Sequence, residues 1–180
     1  LHSRKGVHSV LWKAAWDLLH DVSIAVLVCV FVVTFVAQPF RVQGTSMLPL
    51  LEDSERILVN KFIYHFVSIG RGDVVVFWYP RDPSVSFIKR VAGLPGDQVE
   101  IRQGVLYVNG LRVEEGYLAP RYRDEQSYPA RRVRDGYYFV LGDHRNGSND
   151  SRSWGDVPEK YIYGKAVLRF WPLPKAGLIR

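Results

Sequence analysis

The chain is poor in the residues from which metal sites and covalent cross-links are built. One cysteine, Cys29, stands among 180 residues, which excludes an internal disulfide and a cysteine-built zinc site. Cysteine usage therefore leaves the compartment unread. No phosphate-binding loop, dinucleotide fingerprint or H-E-x-x-H pair occurs, so no cofactor and no metal is implied. The 10 Pro fall in no repeat, which excludes collagen-like and solenoid chains. Neither sign of charge dominates: 24 Lys and Arg against 18 Asp and Glu leave +6, a weak pull towards anionic neighbours. Apolar residues, in contrast, make up 47%, too many for a disordered chain, in a length that suits one domain.

Those apolar residues are unevenly spread. Val22 to Phe40 is a run of 19 residues without a charge. As a helix rising about 1.5 Å per residue it measures about 28 Å, close to the hydrocarbon thickness of a bilayer. Its Val, Phe, Ile and Leu side chains are together worth on the order of −3 to −7 kcal/mol of insertion energy. The run is too long for a strand, and too long and uncharged for a buried core helix. Arg4, Lys5 and Lys13 precede it, as in a signal peptide, yet bulky Phe35 two positions before Ala37 spoils an A-x-A cleavage site. We therefore expect an uncleaved anchor over 22–40. The basic residues before it, against Arg41 alone just after, place the N-terminus inside and 41–180 outside. Residues 1–21, with Val10, Leu11, Ala14 and Leu18 at helical spacing, extend the helix along the inner surface.

The remaining residues, 41–180, read as β. Runs at 56–61, 73–79, 85–92, 98–102, 105–108, 111–113, 137–141 and 165–171 have strand composition. Turn signals separate them, among them Pro95-Gly96-Asp97, Asn109-Gly110 and Asp135-Gly136. No stretch after residue 70 keeps a helical period for three turns. The expected fold is mainly β: a small antiparallel β-sheet or barrel-like domain behind one transmembrane helix, with a loop-rich insertion at 114–134.

Three segments depart from this bland pattern. Gly44-Thr45-Ser46-Met47-Leu48-Pro49 places a serine in an apolar turn just past the anchor. Taken alone it is a loop serine, and as a G-x-S-x-G elbow it fails at Leu48. Lys89 lies in the second segment, where strand alternation puts it on one side with Val85, Phe87 and Val91. A lysine on an apolar face is desolvated, and desolvation lowers an ammonium's pKa towards the range of a usable general base. The competing reading is an edge lysine that snorkels to water. The third segment, Gly142 to Gly155, packs charges and hydroxyls between strands. It is costly to bury unless Asp143, Arg145, Asp150 and Arg152 pair with one another.

These segments, with Arg71-Gly72-Asp73-Val74 and Lys89-Arg90-Val91-Ala92-Gly93-Leu94-Pro95-Gly96-Asp97, resemble in order the conserved boxes of bacterial type I signal peptidases. The resemblance spans the anchor and essentially the whole exported domain. It implies a Ser-Lys serine endopeptidase of the bacterial cell membrane, single-pass, with its catalytic domain on the outer face. Such enzymes remove signal peptides from exported preproteins after a small-x-small motif, through an acyl-enzyme. By this resemblance Ser46 is the nucleophile, Lys89 the general base and Ser148 the hydroxyl that orients the lysine. Asp150 with Arg152, and Arg90 with Asp143, are supporting charge pairs. Met47 and Leu48 are the apolar residues expected to meet the bilayer interface. Partners are preproteins and membrane lipid.

The sequence also departs from the family's pattern. Gly44 replaces a hydroxyl residue that helps bind the oxyanion in some members, leaving the Ser46 backbone N–H, with Thr45, to act there. Leu50 and His144 replace a usual threonine and asparagine. A histidine base is the commoner design, and His144 competes with Lys89 for that role by sequence position. The two N-x-S sequons at Asn146 and Asn149 fall within the functional loop and are read as chance. Arg121, Arg123, Arg131, Arg132 and Arg134, interleaved with Tyr117, Tyr122 and Tyr128, face anionic headgroups or substrate, and no nucleic acid is expected. Two alternatives stay open: a self-cleaving Ser-Lys protease, and a membrane-tethered lipid- or nucleic-acid-binding domain.

Overall fold

The computed structural model describes residues 4–32 and 37–180. Helix α1 runs from Arg4 to Phe31 as one element of 28 residues. Its stretch Trp12–Phe31 is long and apolar enough to cross a membrane. This apolar helical stretch lies N-terminal of the anchor expected over 22–40, whose residues 33–36 are outside the described ones. Ala37–Phe40 are not helical: Ala37–Arg41 form strand β1, paired antiparallel with β2 (Arg56–Asn60). Pro39 explains the difference, because proline removes a helical hydrogen bond and clashes with the preceding turn, but is tolerated in an edge strand.

The other strands are β3 (Val74–Tyr79), β4 (Asp82–Gly93), β5 (Gln98–Arg102), β6 (Val105–Val108), β7 (Leu111–Arg112), β8 (Tyr128–Arg132) and β9 (Tyr137–Leu141). After the one-turn helix α2 (Ser151–Trp154) come β10 (Val157–Pro158), β11 (Ile162–Trp171) and β12 (Gly177–Leu178). They build two antiparallel sheets. One has the order β1-β2-β11-β3-β4-β9-β10, with β12 on β11; the other is β7-β6-β5-β8. The mainly β reading holds, and the Asn109-Gly110 hairpin joins β6 to β7 in the expected register. The insertion is less irregular than expected, since β8 lies within it and pairs with β5.

β3 shows why the large sheet is central. Its unbroken Val-Val-Val-Phe run is buried on both faces, as strands covered on two sides require. Val74 and Val76 pack with Val42, Met47, Leu51, Ile57 and Val59, while Val75 and Phe77 pack with Val91, Val140 and Trp154. A third cluster, around Val99, Ile101, Leu106 and Phe139, joins the small sheet to β9. The strand β4 extends past both sheets' shared region. It pairs with β3 from Asp82 to Arg90, but with β9 only from Arg90 onward. On that side its first eight residues have no strand partner among the described residues.

Candidate active site

The serine turn is anchored from below. Gly44 adopts a φ of 86°, which a side chain would strain, and its N–H donates to Asp53 Oδ1 at 2.7 Å. Within the turn the Leu48 N–H donates to the Thr45 carbonyl and the Leu51 N–H to the Met47 carbonyl. Met47 is 1% exposed and Leu51 fully buried, both in the first core cluster. Met47 therefore does not face a bilayer, contrary to expectation: its side chain is the peg that holds the turn to the sheet. Leu48 is half-buried. Ser46 sits between these pegs and the groove, half-buried, and among the described residues its N–H has no acceptor.

Lys89 comes from the middle of β4, opposite Val75 of β3. It is 4% exposed, and its Nζ lies 2.7 Å from Ser46 Oγ. A second contact joins Nζ to the Ile88 carbonyl at 3.1 Å. Phe87, one alternation back on the same face, has its ring centroid 5.2 Å from Nζ. The expected burial on an apolar face is present, and the snorkelling reading fails. Burial pushes the ammonium down from 10.5 to about 8, against an upward pull from Asp150 and Asp143.

The loop after β9 surrounds this pair with charges that are already matched. The Arg90 guanidinium meets Asp143 through two hydrogen bonds of 2.9 and 2.7 Å, and stacks on the Tyr117 ring. Arg152 grips Asp150 through Nε and Nη2, each at 2.8 Å. Asp150 also caps α2 and accepts from the Gly142 N–H. Both charge pairs carried over by resemblance are thus brought together. Asp143 and Arg145, however, do not pair within the loop. Asp143 belongs to Arg90, and Arg145 reaches out to Glu115.

Ser148 is the site residue whose expected contact is missing. Its Oγ is buried and has no hydrogen-bond partner among the described residues, and Lys89 has the Ile88 carbonyl instead. The hydroxyl packs on Gly142, where an added Cβ would stand 2.2 Å from Ser148 Oγ and 2.5 Å from the Ser46 carbonyl oxygen. Only glycine lets the two loops approach this closely. Thr45, expected beside the oxyanion, is exposed, and it is its carbonyl that is held. The His144 ring nitrogen Nδ1 lies 3.0 Å from that carbonyl. His144 makes no contact with the Ser46 hydroxyl among the described residues; His65 is exposed and stacked on Phe62.

The insertion supplies residues that reading the sequence missed. Glu115 is buried against Arg145 and accepts from the Tyr117 hydroxyl at 2.9 Å. Asp124 accepts from Arg152 Nη1 at 2.6 Å. A lone Glu and Asp in a polar segment give no sequence signal; the surplus of buried arginines in the facing loop is the one clue. Of the insertion's arginines, Arg131 is paired with Asp156, and Arg121 lies over Tyr122.

Ser46 and Lys89 open onto a groove of about 580 Å³. One wall is β1 and the chain from Phe40 to Ser46; the other is β4 from Ser84 to Lys89. Buried Val42, Ile57 and Val76 line it, and no carboxylate does. No cluster of metal-ligating side chains occurs among the described residues. The arrangement combines an alcohol, a desolvated amine, a free N–H and a peptide-wide cleft, the parts needed for acyl transfer.

Residues 15–171 match a family model described as signal peptidase, peptidase S26. The chain is 41% identical over 163 residues to a probable signal peptidase I-2 from Synechocystis sp., covering 86% of this chain and 72% of the relative. A probable signal peptidase I-1 from the same source is 38% identical over 175 residues, 92% and 87% of the two chains. Signal peptidase IB of Staphylococcus aureus is 36% identical over 176 residues, covering 89% of this chain and 91% of the relative.

Proposed function

Since this chain belongs to the peptidase S26 family of signal peptidases, enzymes that remove signal peptides, we propose that Ser46 and Lys89 do the cutting. The observation that carries the reading is the 2.7 Å separation of Ser46 Oγ and Lys89 Nζ, with the lysine out of water. A base at about 8 is neutral in about one molecule in ten at pH 7, against roughly one in 2,500 for an ordinary lysine.

The neutral amine takes the Ser46 proton as Oγ attacks the scissile carbonyl carbon. The carbonyl oxygen becomes an oxyanion and is received by the Ser46 N–H. Collapse breaks the C–N bond, and the Lys89 ammonium protonates the departing amine, the new N-terminus of the mature protein. The signal peptide stays behind as an ester on Ser46. Water then gives a proton to Lys89 and attacks the ester; collapse breaks the ester C–O bond, Ser46 Oγ takes the proton back from the Lys89 ammonium, and the signal peptide leaves as a carboxylic acid. Ser148, buried and unpartnered among the described residues, is the nearby hydroxyl available to hold the ammonium once it forms.

Substrate fits as an extended strand. The outer edges of β1 and of β4 before Arg90 have no strand partner among the described residues, and a peptide laid between them can pair with either. The apolar, acid-free groove suits the small side chains expected before the cut. The helix associates this enzyme with membrane; we place its N-terminus inside and the β domain outside. Lipid contact falls to Phe62, Phe66 and Val67 rather than Met47. These three are exposed and follow Asn60, the residue paired with Ala37 where the chain enters from α1.

Cleavage of a purified preprotein in detergent tests the assignment. Ser46→Ala and Lys89→Ala should each lower turnover by at least about a thousandfold. Wild-type rates in both variants would refute it. Activity retained in Lys89→Ala but lost in His144→Ala would move the base to the histidine.

A further inference from the structure

His144 touches the serine turn twice. Its backbone N–H donates to the Ser46 carbonyl at 3.1 Å, and its ring Nδ1 lies 3.0 Å from the Thr45 carbonyl. A carbonyl oxygen can only accept, so Nδ1 carries the proton. The Thr45–Ser46 peptide is trans. In a trans peptide the C=O and N–H point in opposite directions. Whatever fixes the Thr45 carbonyl therefore aims the Ser46 N–H, the group that has no acceptor among the described residues. A hydrogen bond at the carbonyl also polarises the peptide and strengthens its N–H as a donor.

We infer that His144 is a positioning residue for the oxyanion: its ring locks the Thr45–Ser46 peptide so that the Ser46 N–H faces the developing charge. This inference rests on the Ser46 reading above. It accounts for how the site works with Gly44, which has no side chain to offer the oxyanion. The ring is itself held. Tyr122 meets it edge-on with centroids 4.9 Å apart, and it lies against Gly147, where a Cβ would come within 2.6 Å of it. The Leu48 N–H, at 3.2 Å from the same carbonyl, gives only the bond that closes the turn.

Steady-state cleavage by His144→Phe, His144→Asn and Gly147→Ala, with binding of a substrate-like peptide aldehyde and the matching peptide alcohol, tests this. The aldehyde bonds to Ser46 Oγ, passes the serine proton to Lys89 and leaves an oxyanion; the alcohol cannot. His144→Phe should lower kcat by about ten- to a hundredfold and weaken aldehyde binding by a similar factor. KM and alcohol binding should stay within about twofold. Gly147→Ala, which pushes the ring away, should behave alike. His144→Asn keeps an N–H for the carbonyl and should recover most of the rate. An unchanged kcat in His144→Phe, or equal losses for aldehyde and alcohol, overturns the inference. Ser46→Ala separates the two claims. If it is inactive while His144→Phe is normal, only the role of His144 falls; if it cleaves normally, the nucleophile assignment falls first.

Discussion

Two neighbouring parts of the site handle buried charge in opposite ways. In the loop after β9 every buried ion has a counter-ion in hydrogen-bond contact: Asp143 with Arg90, Asp150 with Arg152, Arg145 with Glu115. Lys89, a strand away and equally buried, has a serine hydroxyl and a carbonyl but, among the described residues, no carboxylate in contact. The difference teaches what the pairs are for. Asp150 and Asp143 both pull the Lys89 ammonium upward, and a carboxylate already neutralised by a bidentate arginine pulls less. The paired loop keeps the amine unpaired.

Removing the amine breaks the comparison most severely. Lys89→Met should abolish cleavage, by at least about a thousandfold, while stabilising the fold at neutral pH. The folded-state pKa, about 8, lies below the usual 10.5, so the buried ammonium costs roughly 3 kcal/mol below pH 8. Between pH 8 and 10.5 the unfolded chain binds more protons, and wild-type stability should climb towards that of Lys89→Met. Urea unfolding of both proteins across this range checks the sign. Next comes Arg145→Ala, which strands Glu115 without a counter-ion and should cost about 3–5 kcal/mol of stability, read by the same titration. A smaller effect is expected of Arg152→Gln. It frees the Asp150 charge, so the pH midpoint of kcat/KM, expected near 8 in the wild type from the Lys89 ammonium, should move upward. A downward or absent shift would sever the link between the pairs and the amine. Smallest of all, Glu100→Gln breaks a solvent-exposed pair on β5 of the small sheet and should leave both the urea midpoint and the pH midpoint in place.

Much of this was legible in the residues. Alternation around Lys89 announced a desolvated amine, and Asn109-Gly110 announced its hairpin, because both signals are local. β1 was hidden inside the apolar run, where only Pro39 marks the end of helical backbone. β8 was hidden for the opposite reason: Tyr-Pro-Ala-Arg-Arg has no apolar alternation, and its place is fixed by β5. Met47 looked like a membrane residue since exposure is not written in hydrophobicity. Glu115, Tyr117 and Asp124 were invisible as site supports, because their partners lie 28 or more residues away in sequence. The four loop charges read as able to pair among themselves; Asp150 and Arg152 do, while Asp143 and Arg145 take partners further off in the chain.

The short passage from α1 to β1 has its own consequence. Val32 and Ala37 are five peptide steps apart, and five steps reach at most about 18 Å however the chain runs. On the membrane placement proposed above, the strand that leads into the groove wall at Phe40 starts within that distance of the helix end. On that placement the tether would act as a ruler, favouring by depth the cut sites that the cleft then selects by shape.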